Sequence, residues 1–404
     1  MRGLIEQHLH VLVEQIGARP PGSPANRRAT TYVHDVLSGC GLDVVEYPFE
    51  TCWWEPGRGW LGSAAGRIEV DANPYSPAGD IRGHAVHVEE VSQLEELGSA
   101  RGDVLIMSGE LTREPVMPAA FPFVDLPEHT RIRAALRRLG PAAVIAVSDH
   151  GEPILEDPEL SFPSTTVPSR ILTRLREGEP VRLVLGGAVQ AGEGATVSAR
   201  TGDGHRRLVL SAHLDSKATT PGAFDNAASV ATILALAETG LPAVGPLEIV
   251  MFNGEDHFDA CGEVAWLAGT ELAEVTANLN VDGAGLAGQG TSLATLACPE
   301  PLAARLAAWA DQRPGWTNAD PWVESDHALF AMHGIPAAAV TSQDVHQLLG
   351  GLAHTPADTL DVLDLAVLED LAAALPELLT LLAGERLDRR TAASDTVVPP
   401  AGAT

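Results

Sequence analysis

Four short segments of this chain concentrate side chains that bind metals or move protons. The first is Ser211-Ala212-His213-Leu214-Asp215-Ser216, followed by Asp225-Asn226. The others are Gly254-Glu255-Asp256, Asn280-Val281-Asp282 and His354-Thr355-Pro356-Ala357-Asp358. Carboxylates packed together repel one another and are forced to protonate. A divalent cation removes that conflict. Two histidines with carboxylates suit zinc, whose oxygen ligands lie at about 2.0–2.2 Å. Three carboxylates and two histidines, one carboxylate shared, make two such sites. Ions about 3.5–4 Å apart clamp both the attacking and the leaving group of a hydrolysis. Glu255, next to the candidate ligand Asp256, suits proton transfer from water to a leaving amine.

Each segment alone has an ordinary reading. His213 would be a hydrogen-bonded core histidine and Asp225-Asn226 a helix N-cap. Glu255-Asp256 and Asp282-Gly283 would be turns. Their joint occurrence, in this order, favours a shared site.

The elements around the segments support that reading. Apolar runs at 208–210, 247–252, 279–281 and 337–340 read as strands. Residues 230–237, 262–268, 301–310 and 365–382 read as helices. Such alternation implies an α/β fold, a mostly parallel central sheet flanked by helices. The C-terminal strand ends then lie along one edge, where distant segments meet. Upstream, residues 10–16 and 26–37 read as helices, 19–24 as a breaker and 42–49 as a strand. Near Thr51 the character changes. Trp53, Trp54 and Trp60 cluster, and short strand-like runs at 85–88, 103–107 and 142–147 surround a helical pattern at 129–139. The expected division is a catalytic domain over 1–60 and 191–388, with a smaller β-rich α+β domain inserted at 61–190. Residues 389–404, rich in Ala, Ser, Thr and Pro, are expected to be disordered.

Composition sets further bounds. The net charge of −28 disfavours nucleic acid and anionic membranes as partners. An acidic field suits cationic peptide amines, or serves solubility alone. There is no transmembrane run and no apolar signal core at the start, which points to a cytoplasmic protein. The four cysteines form no C-x-x-C pair and are expected to be reduced thiols. Lys217 is the only lysine. The oligomeric state stays open.

These motifs resemble the di-zinc aminopeptidases, the twenty-eighth family of metallopeptidases. The resemblance rests on His213-x-Asp215-Ser216, Asp225-Asn226, Glu255-Asp256 in place of Glu-Glu, Asn280-x-Asp282, Ser325-Asp326-His327 and His354-Thr355-x-x-Asp358. It extends to Arg19-Pro20-Pro21-Gly22-Ser23. Gly83-His84-Ala85-Val86 and residues 140–145 resemble a protease-associated domain. The resemblance implies two zinc ions, with His213 and Asp282 on one, Asp256 and His354 on the other, and Asp225 bridging. It implies that Asp215 orients His213, that Asp358 supports His354, and that Glu255 is the general acid/base serving a metal-bridging hydroxide.

The implied activity is removal of N-terminal residues from a peptide or small amide substrate. One alternative is a glutaminyl-cyclase-like acyltransferase, although that branch has Ser and Trp where this chain has Asn226 and Ala353. Another is an amidase or carboxypeptidase of a biosynthetic pathway, with Lys217 meeting a carboxylate. A non-catalytic binding module fits poorly with a full set of ligands. His257 and His346 read as site groups or structural histidines. Trp316, Trp322 and Phe330 read as a substrate-side wall or plain core.

Overall fold

The structure, a computed structural model, describes residues 1–149, 151–202, 204–343 and 351–384. The expected disordered tail and His346 lie outside these. The chain opens with helix α1 (Arg2–Leu9), a π-helical turn, and α2 (Pro24–Gly39). The breaker between them ends in a cap: Ser23 Oγ accepts from the Asn26 amide at 3.1 Å, and Pro24 takes the first helical position. Strand β1 (Asp43–Pro56) follows.

A second sheet comes next. It comprises β2 (Arg58–Ser63), β3 (Gly66–Asp71), β4 (Gly79–Val88), β5 (Val104–Met107), β6 (Ala143–Val147), β7 (Ser164–Val167) and β8 (Pro180–Leu185). Their order is β3-β2-β8-β4-β5-β6-β7, with β4 to β7 parallel. Helices α3 (Val91–Glu96) and α4 (Pro127–Leu139) cover one face. The other face packs on Trp54, Tyr75 and Phe258.

Strand β9 (Gly187–Thr201) returns along the whole of β1 and enters the main sheet. The remaining strands are β10 (Arg207–His213), β11 (Leu247–Phe252), β12 (Val275–Val281), β13 (Thr291–Leu296), β14 (Trp316–Asn318) and β15 (Ala337–Ser342). The main sheet runs β1-β9-β11-β10-β12-β15-β13-β14. Its centre, β11-β10-β12-β15, is parallel, as the alternation of strand and helix implied. The ladders β1–β9, β9–β11 and β13–β15 are antiparallel. Strands buried on both faces read as unbroken apolar runs, which is why the central ones were legible.

Five helices fill one face: α1, α2, α5 (Ala228–Thr239), α7 (Glu300–Gln312) and α9 (Leu365–Ala383). Helix α5 is buried along nearly its whole length, so its residues are mostly small and apolar, with Ser229 and Thr232 the buried hydroxyls. On the other face α6 (Cys261–Gly269) and α8 (His327–Met332) bring Trp266, Leu329 and Phe330 onto Val250 and Phe252. Trp316 packs edge-on against Trp309 and donates to Asp370 Oδ2 at 2.6 Å. Trp316 and Phe330 are therefore core residues and form no substrate-side wall.

One buried cation holds the ligand-bearing loop after β10. Arg19 is fully buried. Its Nε donates to Leu214 O at 2.6 Å, Nη1 to Pro221 O at 2.7 Å and Nη2 to Gly222 O at 2.9 Å. Its backbone amide donates to Ser216 Oγ. Gly222 lies at φ +65°, and a β-carbon there would meet Asp225 O at 2.6 Å, so the turn admits only glycine. Each buried acceptor left unpaired costs about 1–3 kcal/mol. Arg19→Met is expected to destabilise the protein by about 3–5 kcal/mol, read as a fall in the urea midpoint at constant slope. A loss below about 1 kcal/mol would show that water replaces the guanidinium.

Candidate active site

The register places the ends of the central strands level. His213 pairs with Phe252 of β11, and Ser211 with Asn280 of β12, so Asp282 stands beside His213. Asp225 comes from the loop before α5, Glu255 and Asp256 from the turn after β11, and His354 from the loop after β15. The seven residues singled out by sequence lie at this edge.

Their donor atoms form two triads sharing one residue. His213 Nε2 lies 3.0 Å from Asp225 Oδ1 and 3.3 Å from Asp282 Oδ1. His354 Nε2 lies 3.1 Å from Asp225 Oδ2 and 2.8 Å from Asp256 Oδ1. Asp225 thus offers one oxygen to each triad. Both ring nitrogens of His213 and Oδ2 of Asp256 are buried without a hydrogen-bond partner. Such orphaned donors fit a cation. Ligand atoms about 2.0–2.1 Å from one zinc lie roughly 3.3 Å apart, close to the separations seen. Glu255 has a carboxylate oxygen within 4.8 Å of donor atoms of His213 and Asp256.

The supporting contacts depart from expectation in two places. Asp215 Oδ1 lies 3.7 Å from His213 Nδ1, beyond hydrogen-bond range. Asp215 instead accepts from the amides of Gly254 at 2.9 Å and Asp256 at 3.1 Å, tying the first segment to the second. Asp358 does not support His354. It accepts from the amides of Phe224 at 2.6 Å and Asp225 at 3.0 Å, and so fixes the shared carboxylate. Asn226 reaches the third segment, donating to Val281 O at 3.0 Å and accepting from the Gly283 amide.

His354 takes its support from the second sheet's loops. Its Nδ1 lies 3.1 Å from Glu152 Oε1. The same loop carries Glu156, whose oxygens lie 3.2 and 3.3 Å from Lys217 Nζ. Sequence reasoning flagged neither glutamate, and no local pattern marks them. His354 sits at φ 61°, a left-handed conformation that costs about 1–2 kcal/mol outside glycine.

The electrostatics show how acidic the site is. Burial alone would push the His213 imidazole down, yet Asp282, Asp215 and Asp225 raise it well above its ordinary value. His354 is likewise raised against burial by Asp256, Asp225 and Glu152. Asp225 is lowered because its two histidines outweigh its burial. Glu255 is pushed well up by burial, with Asp282, Asp256 and Asp326 adding and His213 opposing. Glu263 and Asp326 are also buried and pushed up, and none of their carboxylate oxygens has a hydrogen-bond partner. Sequence reasoning quoted Asp326 without a role and passed over Glu263, which reads as a helix residue.

A sheet edge carrying two histidine–carboxylate triads defines a metallohydrolase. Residues 195–379 match the model of Peptidase family M28. The family implies zinc. No curated protein sequence matches the chain. Among solved structures it resembles an aminopeptidase from Aneurinibacillus sp. strain AM-1, at 20% identity and TM-score 0.72, over 95% of this chain and 93% of that one. It also resembles a zinc aminopeptidase from Bacillus subtilis, at 18% identity and TM-score 0.68, over 95% and 94%. A peptidase M28 precursor from Shewanella amazonensis SB2B gives 18% identity and TM-score 0.71 over the same shares. These likenesses establish the fold. No helix among the described residues is long and apolar enough to cross a membrane.

The Glu152 contact has a measurable consequence. Partners of a ligating imidazole typically contribute 10–100-fold to metal affinity. Glu152→Ala is expected to weaken zinc binding on the Asp256–His354 side by about 10–100-fold and to leave the His213–Asp282 side intact. Stepwise calorimetric titration of metal-free protein separates the two. An unchanged weak step would show that His354 needs no help from the second sheet.

Proposed function

We propose that the protein is a zinc-dependent exopeptidase that removes N-terminal residues from peptides. The observation that carries this reading is the pair of triads sharing Asp225, with Glu255 beside them. His213 and Asp282 would hold one zinc ion, Asp256 and His354 the other, and Asp225 both. Two bound ions would polarise the scissile carbonyl and make water nucleophilic near neutral pH. Glu255 would be the group that accepts a proton from the attacking water and returns it to the leaving nitrogen. Asp215 and Asp358 keep the loops in place by binding backbone amides.

The acidic surroundings support a preference for substrates with a free α-ammonium. Glu152 stands beside His354, adding negative charge next to the triads. Lys217 is a poor receptor for a substrate carboxylate because Glu156 already neutralises it. That weighs against a carboxypeptidase. A complete second triad weighs against a one-metal acyltransferase. We read the second sheet, which begins at Arg58 and ends at Leu185, as an inserted unit like a protease-associated domain.

Purified protein should carry one zinc ion at each of the two triads and hydrolyse aminoacyl-anilides but not their N-acetylated forms. Chelator should abolish turnover and zinc restore it. Glu255→Gln should keep both ions while lowering kcat by about 10²–10⁴. Undiminished turnover by that variant would overturn the role of Glu255. Equal cleavage of N-acetylated substrates would overturn the exopeptidase reading.

A further inference from the structure

Directly after Asp256 the chain carries a second group of metal-type donors that the proposed reaction does not use. An oxygen of Asp259, a ring nitrogen of His257 and the sulfur of Cys261 all lie within 4.8 Å of one another. His257 Nδ1 is 3.5 Å from Asp259 Oδ1. Both atoms are buried and neither has a hydrogen-bond partner. The His257 side chain is fully buried, so water does not satisfy the nitrogen. An orphaned buried nitrogen facing an orphaned buried carboxylate oxygen is costly unless something sits between them.

The remaining contacts set up these atoms as ligands. His257 Nε2 lies 3.3 Å from Thr51 Oγ1, and Thr51 Oγ1 donates to Asp259 Oδ2 at 3.0 Å. A hydroxyl that gives its proton to the carboxylate must accept from the ring. Nε2 therefore carries the hydrogen, and the Nδ1 lone pair is left facing Asp259. Thr51 thus orients two donors at once, as partners of metal ligands do. Tyr75 stacks on the imidazole and Phe258 tilts against it, fixing the ring. Ala260 turns the chain at φ 44°, between Asp259 and Cys261. Cys261 opens α6 and its thiol donates to Asn253 O at 3.9 Å; burial, with Asp259, Glu263 and Asp215 adding, holds it in the protonated form, so only a bound cation would draw the proton off.

We propose that His257 Nδ1, Asp259 Oδ1 and Cys261 Sγ form a third metal site for a borderline divalent cation of the zinc type. Nitrogen, oxygen and thiolate together select this class over calcium or magnesium, which take oxygen ligands. Binding breaks the Cys261 S–H bond. The sulfur electron pair passes to the cation and the proton leaves to solvent. The fourth position is left for water. An ion here would pin the turn that presents Asp256 to the head of α6. The inference is independent of the substrate the protein cleaves.

Cobalt(II) alone is the probe, added to full-length protein freed of metal by chelator. The cluster around Asp225 contains no sulfur, so thiolate-to-cobalt charge-transfer absorption reports the third site only. The wild type is expected to bind three equivalents and show that absorption. Cys261→Ala should lose it together with one equivalent. Asp282→Asn should lose cluster metal and keep it. Asp259→Asn retains the thiol and should weaken the cobalt dependence of the band at least tenfold, which serves if Cys261→Ala fails to fold. Absence of the band at saturating cobalt would overturn the proposal. So would its persistence in Cys261→Ala or an unshifted titration in Asp259→Asn. Absent peptidase activity would leave the band in place, which separates this inference from the functional one.

Discussion

Carboxylates cannot be gathered at a buried sheet edge without cations to match them, and that constraint organises this molecule. Asp215, Asp225, Asp256, Asp282 and Asp358 converge there, with Glu255, Glu263 and Asp326 close by. In a medium of low polarity such charges repel strongly. Three kinds of cation answer them. Two imidazoles stand inside the cluster and lower Asp225. Arg19 is sealed beneath it and feels Asp215, Asp358, Asp225 and Asp256. Lys217 sits beside Glu156 and is raised by Glu156 and Asp256 against its burial. Burial still pushes Glu255, Glu263 and Asp326 toward the neutral acid.

The second sheet takes part in this balance. It packs one face against Phe258, two residues beyond Asp256. Its loop after β6 sends Glu152 to His354 and Glu156 to Lys217. The unit is therefore joined to the site by apolar packing and by charge. The β1–β9 ribbon, paired from Asp43 to Pro56, gives it a stiff stalk. A passive spacer would need the stalk alone.

Much of the fold was legible in the sequence because its signals were local. The run 208–210 and the helix after Asn226 follow from burial on both faces. The antiparallel partners were less visible. β9 begins with small and polar residues along an exposed ribbon and becomes buried only from Ala195 to Ala199. The clustered donors were legible because histidine and carboxylate are rare together at strand ends. Their supports were not. The family pattern implied that Asp358 supports His354, but its carboxylate is taken up by the amides of Phe224 and Asp225. Glu152 is an ordinary loop glutamate until the fold brings it across roughly 200 residues.

The short side chain at position 256 shows how backbone placement substitutes for side-chain reach. Aspartate is one methylene shorter than glutamate, which by itself would draw its oxygen back from the cluster. Yet Asp256 Oδ1 stands 2.8 Å from His354 Nε2. The reason lies in the amide of the same residue, which donates to Asp215 Oδ2 at 3.1 Å, while the Gly254 amide donates to Oδ1. Asp215 is itself fixed two residues after His213, on the loop that Arg19 binds. The turn after β11 is thus drawn toward the edge as a unit, and the shorter carboxylate starts closer. Asp215 positions the second histidine's partner through the backbone. This explains why an aspartate too far from His213 to hold its ring is nonetheless wholly buried at the centre of the site.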